Sequence, residues 1–235
     1  MRPFNTILPV VALIALTVLA GCEQDQIHED RGTLKLVFDM TYDGADLDLE
    51  QDATLNGENI RITRFKFYAG DIRLGGDQLS DVELISFNEG STERTYSLPM
   101  GTYSGLDLAI GVPFDLNNAN PATYGADHPL STSNNMHWPM GNYIFTKIEG
   151  FYQDTLPFLY HVGLDTFYTE LSSSIDVPIS PGATTTVTVS MDLYDVFAGQ
   201  AQTIDPVTEF DTHTMNDMPL AAKVISNLAA STTIE

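Results

Sequence analysis

The stretch TLKLVFDM, residues 33–40, alternates without a break: Leu34, Leu36, Phe38 and Met40 fall on one side of an extended chain, Lys35 and Asp39 on the other. Successive side chains of a strand point to opposite faces, so a period of two marks a half-buried β-strand. The same pattern returns in SGLDLAIGV, residues 104–112, with Leu106, Leu108, Ile110 and Val112. It returns again in TTTVTVSMDL, residues 184–193, with Val187, Val189, Met191 and Leu193. Between these lie NIRITRFKFYAGDIRL (59–74), DVELISF (81–87), NYIFTKIEGFY (142–152), PFLYHVG (157–163) and SIDVPIS (174–180), set apart by DG, GG, PMG and SPG turn signals. Roughly seven to nine short strands with no long amphipathic helix between them predict an all-β domain, an antiparallel β-sandwich, rather than βαβ units. One segment reads helical. DMPLAAKVISNLAA, residues 217–230, has Pro219 placed for a first turn and Leu220, Val224 and Leu228 at helical spacing, which predicts a short C-terminal helix packed on the sheets.

A chain of 235 residues, 43% of them hydrophobic, can bury one substantial core and falls short of what two full domains need. Its beginning does not read as fold. Arg2 precedes the apolar run ILPVVALIALTVLAG, residues 7–21, which is too short for a comfortable membrane span and reads as a signal peptide. The run ends in Leu19-Ala20-Gly21-Cys22, which resembles the lipobox of bacterial lipoproteins. Residues 1–21 are therefore expected to be removed and Cys22, the sole cysteine, to carry lipid. No disulfide is then possible, a polar tether covers 22–32, and one domain covers 33–235. Glu23 is not the aspartate that retains lipoproteins in the inner membrane, so an outer-membrane lipoprotein is expected, on the periplasmic or the cell-surface face. The formal net charge is −22, and loss of Arg2 makes it one unit more negative. Such a field excludes nucleic acid as a partner and attracts cations.

No G-x-S-x-G, H-E-x-x-H, C-x-x-C or glycine-rich phosphate loop is present, and no enzymatic turnover is expected. The acidic run DGADLDLEQD, residues 43–52, has a calcium-like composition, but its order does not fit an EF-hand loop and reads as a solvated row of carboxylates. More specific is NNMHWPMGNY, residues 134–143. It closes a connection rich in Asn, Pro, Ser and Gly, residues 113–140, of a length that in a compact domain is functional or disordered. It holds the only tryptophan, Trp138, beside His137 and between Met136 and Met140. Soft donors next to an indole suit a thiophilic metal such as copper, and equally a plug of core. In a flat strand Met136, Trp138 and Met140 share a face and His137 points away. In polyproline II, His137 and Met140 fall together. Either way a metal site needs a ligand from elsewhere. His28 lies in the tether, His128 in the long connection and His213 in DTHTM, while His161 interrupts an apolar strand, where an imidazole needs a partner. A pocket bringing His161, His137 or His213 to the indole argues for metal. An exposed indole with no histidine in reach argues instead for a surface module that binds a ligand or glycan on Trp138.

The segments LKLVFDMTYDGADLDL, ITRFKFYAGDIRL, LPMGTYSGLDLAIGVPFDLNNANPA, NNMHWPMGNYIFTKIEGF, LYHVGLD and THTMNDMPLAAKVISNLAA, in that order, resemble the MbnP-like family. Its members are secreted or lipid-anchored bacterial copper-binding proteins related to methanobactin-associated proteins. The likeness runs over residues 34–230, and its most specific part is Met136, Trp138, Gly141, Tyr143 and Phe145, followed by His161 and Gly163. The resemblance implies a β-rich domain that captures, stores or delivers copper through histidines and a tryptophan oxidised to kynurenine, with a di-haem peroxidase-type partner performing the oxidation. On this chain it implies Trp138 as the modified or metal-facing residue, His161 as a ligand, and His137 next. Opening the indole would supply an aniline nitrogen that intact indole lacks. Relatives often carry W-x-W where Trp138-Pro139-Met140 stands, and histidines where this chain has Met40 and Asn118. Met40 and Met140 then offer thioethers suited to Cu+.

Overall fold

The computed structural model describes residues 30–139, 141–199 and 202–235. The expected signal peptide, the expected lipid-bearing Cys22, His28, most of the tether and Met140 lie outside the described residues. The alternation of residues 33–40 becomes the strand Arg31–Tyr42, buried at every second position. Leu34, Leu36, Phe38 and Met40 are at most 3% exposed. Burying such side chains is worth about 1.5–3 kcal/mol each, which is what fixes the register of a strand with one wet face.

Around this strand a first sheet forms. Thr184–Asp192 lies parallel to it, Glu93–Pro99 and Ala45–Asp46 antiparallel, and Thr232–Ile234 adds to the far side of Thr184–Asp192. A second, larger sheet is organised by the long strand Glu58–Leu74, which pairs antiparallel with Asp52–Leu55, Asp77–Ser86, Leu106–Ile110 and Gly141–Tyr152. Register shifts at several points along it mark bulges, which bend and twist a strand and let it serve different neighbours along its length. Gly141–Tyr152 then pairs antiparallel with Leu156–Gly163, whose other edge takes the short parallel strand Asp211–Thr212. The fold is thus mostly β, as expected, but its sheets are mixed and include a curled half-barrel. The parallel pairing of Arg31–Tyr42 with Thr184–Asp192 departs from a purely antiparallel arrangement. Alternation alone could not show this, because a strand buried on one face reads alike whichever way its neighbour runs.

The two sheets share one apolar core. Phe38 from the first meets Phe67 from the second edge to face, with ring centroids 5.7 Å apart. The C-terminal helix is Met218–Ala230; the Asp217 carboxylate caps it by accepting the Leu220 N–H at 3.0 Å, and Leu220, Val224 and Leu228 are buried. It packs on Leu156–Gly163 and on a short helix, Leu193–Ala198, that the strand-like run into Leu193 concealed. Along Leu156–Gly163, Phe158, Tyr160 and Val162 enter this core. Alternation therefore turns His161 to the reverse face of the larger sheet.

Candidate metal centre

Three rings from three distant segments converge on that reverse face. The first pair follows from strand register. Asp211–Thr212 runs parallel to Leu156–Gly163, with Asp211 opposite Leu159 and Thr212 opposite Tyr160. One residue further on stand His161 and His213, so neighbouring strands present two imidazoles side by side. Their centroids are 4.8 Å apart and the rings nearly perpendicular, at 77°. The pairing ends there because Thr214 takes over: with φ 62° it leaves the extended conformation, its hydroxyl donating to the His161 carbonyl at 2.9 Å and accepting the Gly163 N–H at 3.0 Å. The indole of Trp138 is the third ring, 6.1 Å from His161 and 5.7 Å from His213 by centroids.

Trp138 arrives on the two-residue strand His137–Trp138, which pairs antiparallel with the start of Gly141–Tyr152. The connection before it is built rather than loose. It carries the short helix Phe114–Asn117 and two 3-10 turns, Pro121–Thr123 and Thr132–Asn134. Buried Asn117 accepts the Tyr143 N–H at 2.9 Å and donates to Asp165 at 2.7 Å, while Tyr143 and Tyr68 donate their hydroxyls to the carbonyls of Leu130 and Pro129. Met136, Leu130, Tyr68, Tyr143 and Phe145 form a second core beneath it. Gly163 makes room for the indole. A Cβ built there would stand 2.5 Å from the Tyr143 carbonyl oxygen and 3.3 Å from Trp138 Nε1.

Charge on the reverse face is arranged around His161. Glu149 stands opposite Arg64 in one ladder and diagonal to His161 in the other, on the same face as both. One carboxylate oxygen lies 2.7 Å from His161 Nε2 and the other 2.6 Å from Arg64 Nη1. Burial pushes the Glu149 carboxyl up, but the His161 ring and the Arg64 guanidinium against it prevail and hold it down at about 2. Burial, the largest effect on His161, lowers its pKa; Glu149 opposes this and Lys147 reinforces it. His161 is therefore neutral near pH 7, the form in which imidazole ligates metals. Lys147, 6% exposed, donates to the Asn135 carbonyl at 2.6 Å and so bolts the Trp138 connection to the sheet. Its ammonium is shifted down by burial.

Of the residues singled out from sequence, His161, His213 and Trp138 come together. His137 does not join them. It lines, with Trp138 itself, a cleft that includes Asn118, Asn120 and Thr132, and its Nδ1 is buried without a hydrogen-bond partner. Met40 packs opposite Met191 in the main core, and the larger sheet lies between that core and His161. His128 accepts the Leu130 N–H at 3.0 Å and stacks on Tyr124. Glu149, Thr214 and Gly163's steric part were not read as elements of a site. For Glu149 a signal existed, since a carboxylate and a histidine twelve residues apart across a hairpin can share a face.

Among the described residues no group of three or more His, Cys, Asp or Glu side chains converges as a metal-binding set. Two imidazoles and an indole do, and the pair fits one ion. A metal–imidazole bond is about 2.0–2.1 Å, which holds two coordinated rings with centres roughly 5 Å apart. Beside the cluster, Asp211 Oδ1 lies 3.0 Å from His213 Nδ1, and His137 Nδ1 is buried without a hydrogen-bond partner. The indole is half-buried and has two histidines in reach.

No curated protein matches the chain. Among solved structures, MbnP from Methylosinus trichosporium is similar, with 17% sequence identity, a TM-score of 0.49, and coverage of 72% of this chain and 78% of that one. The sequence profile of the MbnP family matches residues 31–216, a span that holds every strand of the larger sheet and all three converging rings. The chain belongs to the MbnP family.

Proposed function

We propose that this protein is an envelope lipoprotein that binds copper where Trp138, His161 and His213 meet, and that it captures, stores or delivers the metal without catalytic turnover. The observation that carries the reading is the convergence of the three rings within 6.1 Å. Membership of a family associated with methanobactin and copper supports it. Glu149 occupies His161 Nε2, so His161 offers Nδ1 to the ion and His213 offers the second imidazole. Trp138 completes the set once oxidised to kynurenine by a di-haem peroxidase-type partner, because the aniline nitrogen supplies the third donor that the histidine pair lacks. This borderline, nitrogen-rich set favours copper over calcium or magnesium. Lipid on Cys22 holds the domain at the outer membrane.

Titration of the purified protein with copper tests the site. Binding of low stoichiometry is expected, and its abolition in His161→Ala; an unchanged titration in that variant refutes the assignment. Intact mass of envelope-purified protein tests the modification, since conversion to kynurenine changes the mass of the Trp138 peptide by a fixed amount. An unmodified mass there removes Trp138 from the ligand set.

A further inference from the structure

On the same reverse face, beside the rings, strand register sets two lysines directly opposite each other. Lys66 on Glu58–Leu74 faces Lys147 on Gly141–Tyr152, and Lys147 faces His161 across the next ladder. Like charges so placed repel, and water screens these two poorly: Lys147 is 6% exposed and the Lys66 side chain 12%. The chain has ten Lys and Arg residues against 32 Asp and Glu. Setting two of the ten against each other, away from solvent, calls for a physical account.

The neighbouring carboxylates do not supply one. Glu89 lies 2.6 Å from Lys66 Nζ, but its side chain is 57% exposed, and such a pair is worth little. Glu149 is taken by Arg64 and His161. Among the described residues the Lys147 ammonium has one hydrogen bond, to the Asn135 carbonyl, and no ion pair, which leaves two of its three N–H donors unused. Arg64 likewise commits one of its donors, to Glu149. Arg64, Lys66 and Lys147 line one cavity of about 100 Å³, together with Asn88, Asn134 and Glu89; roughly 10–15 Å³ is enough to admit a single water. Its wall therefore carries three positive charges and one exposed negative charge, in a protein whose formal net charge is −22.

We propose that this cavity binds a tetrahedral oxyanion, phosphate or sulfate, held by Lys147, Lys66 and Arg64. The inference stands apart from the copper reading. A bound anion replaces repulsion between the lysines with attraction to a shared centre, and lysine and arginine are the side chains that bind phosphate groups best. It also offsets the ammonium that faces His161. A second cavity, about 560 Å³, shares Lys66, Glu89 and Asn134 with the first and continues past Leu84 and Arg94. That volume is in the range of small-molecule sites, so the oxyanion arrives either free or as the phosphate end of a larger molecule whose body lies there.

The test is calorimetric titration of the full chain with inorganic phosphate and with phenyl phosphate, at an ionic strength held constant with sodium chloride. Saturable binding at one site is expected, weakened at least about tenfold in Lys147→Met, which removes a charge-assisted hydrogen bond. The same variant removes the repulsion, so its melting temperature in phosphate-free buffer is expected to hold or rise; Lys66→Met carries the test if it does not fold. Lys35→Met, which breaks the pair with Glu93 on the first sheet, is the control and should bind as the parent does. Tighter binding of phenyl phosphate than of inorganic phosphate assigns the site to a larger ligand, and equal binding assigns it to the free ion. No saturable heat with either probe, an unchanged affinity in Lys147→Met, or an equal loss in Lys35→Met overturns the site.

Discussion

The two faces of the strand Leu156–Gly163 share one backbone and follow different chemistry. On the core face, Phe158 stacks on Tyr160 at 5.4 Å and meets Phe197 edge to face at 5.2 Å. Everything there is shape and apolar area. On the reverse face, within the same few residues, a guanidinium, a carboxylate and two imidazoles run in line from Arg64 through Glu149 and His161 to His213. The first face supplies rigidity, and the second uses it: His161 is held in place because its neighbours Tyr160 and Val162 are locked in the core. A site placed on a strand inherits the precision of the packing behind it.

Breaking the core face should have the largest effect. Phe158→Ala removes a fully buried ring and leaves a cavity beside Tyr160 and Phe197; a loss of about 3–5 kcal/mol is expected in urea unfolding, with copper binding weakened through the strand's mobility. A loss below about 1 kcal/mol would show that the two faces are not mechanically linked. Gly163→Ala sits where the faces meet. Its added methyl collides with the Tyr143 carbonyl and crowds the indole nitrogen, so a cost of about 1–3 kcal/mol is expected, together with a shifted Trp138 fluorescence maximum. An unchanged spectrum would mean that the indole does not rest against that glycine.

The core face was legible in the sequence, and the reverse face only in part. Leu34, Leu36, Phe38 and Met40, and likewise Val187, Val189 and Met191, announce their burial because alternation is a local property of the chain. Met40 belongs to the same alternation and is buried with it in the core, 3% exposed. The helix Leu193–Ala198 was hidden because Leu193 satisfies both the strand pattern before it and the helix after it. His161 stood out as a polar residue in an apolar strand. That His213 would lie beside it could not be read, because the parallel pairing of Asp211–Thr212 with Leu159 and Tyr160 joins segments some fifty residues apart, and nothing local encodes that register. Pro139 left the direction of Trp138 open between two backbone conformations, and pairing with Gly141 and Tyr143 decided for the extended one.

Glu149→Gln separates the two faces most sharply, because it leaves the core face untouched. The amide oxygen can still accept a hydrogen bond from His161 Nε2, and Arg64, 42% exposed at its side chain, can turn to water. With Glu149 itself 15% exposed at its side chain, the ion pair lost lies between a surface and a buried bridge, worth about 1–2 kcal/mol. What disappears is the negative charge that supports the imidazole. A ligand histidine held by a neutral amide is less basic and less firmly oriented than one held by a carboxylate, and removal of such a partner typically weakens metal binding by about 10–100-fold. A copper titration beside a urea melt reads both quantities on one sample. Weakened copper binding with stability lowered by no more than this would show that Glu149 serves the ring cluster; stability lost with copper binding unchanged would return the carboxylate to the sheet as one more cross-strand pair.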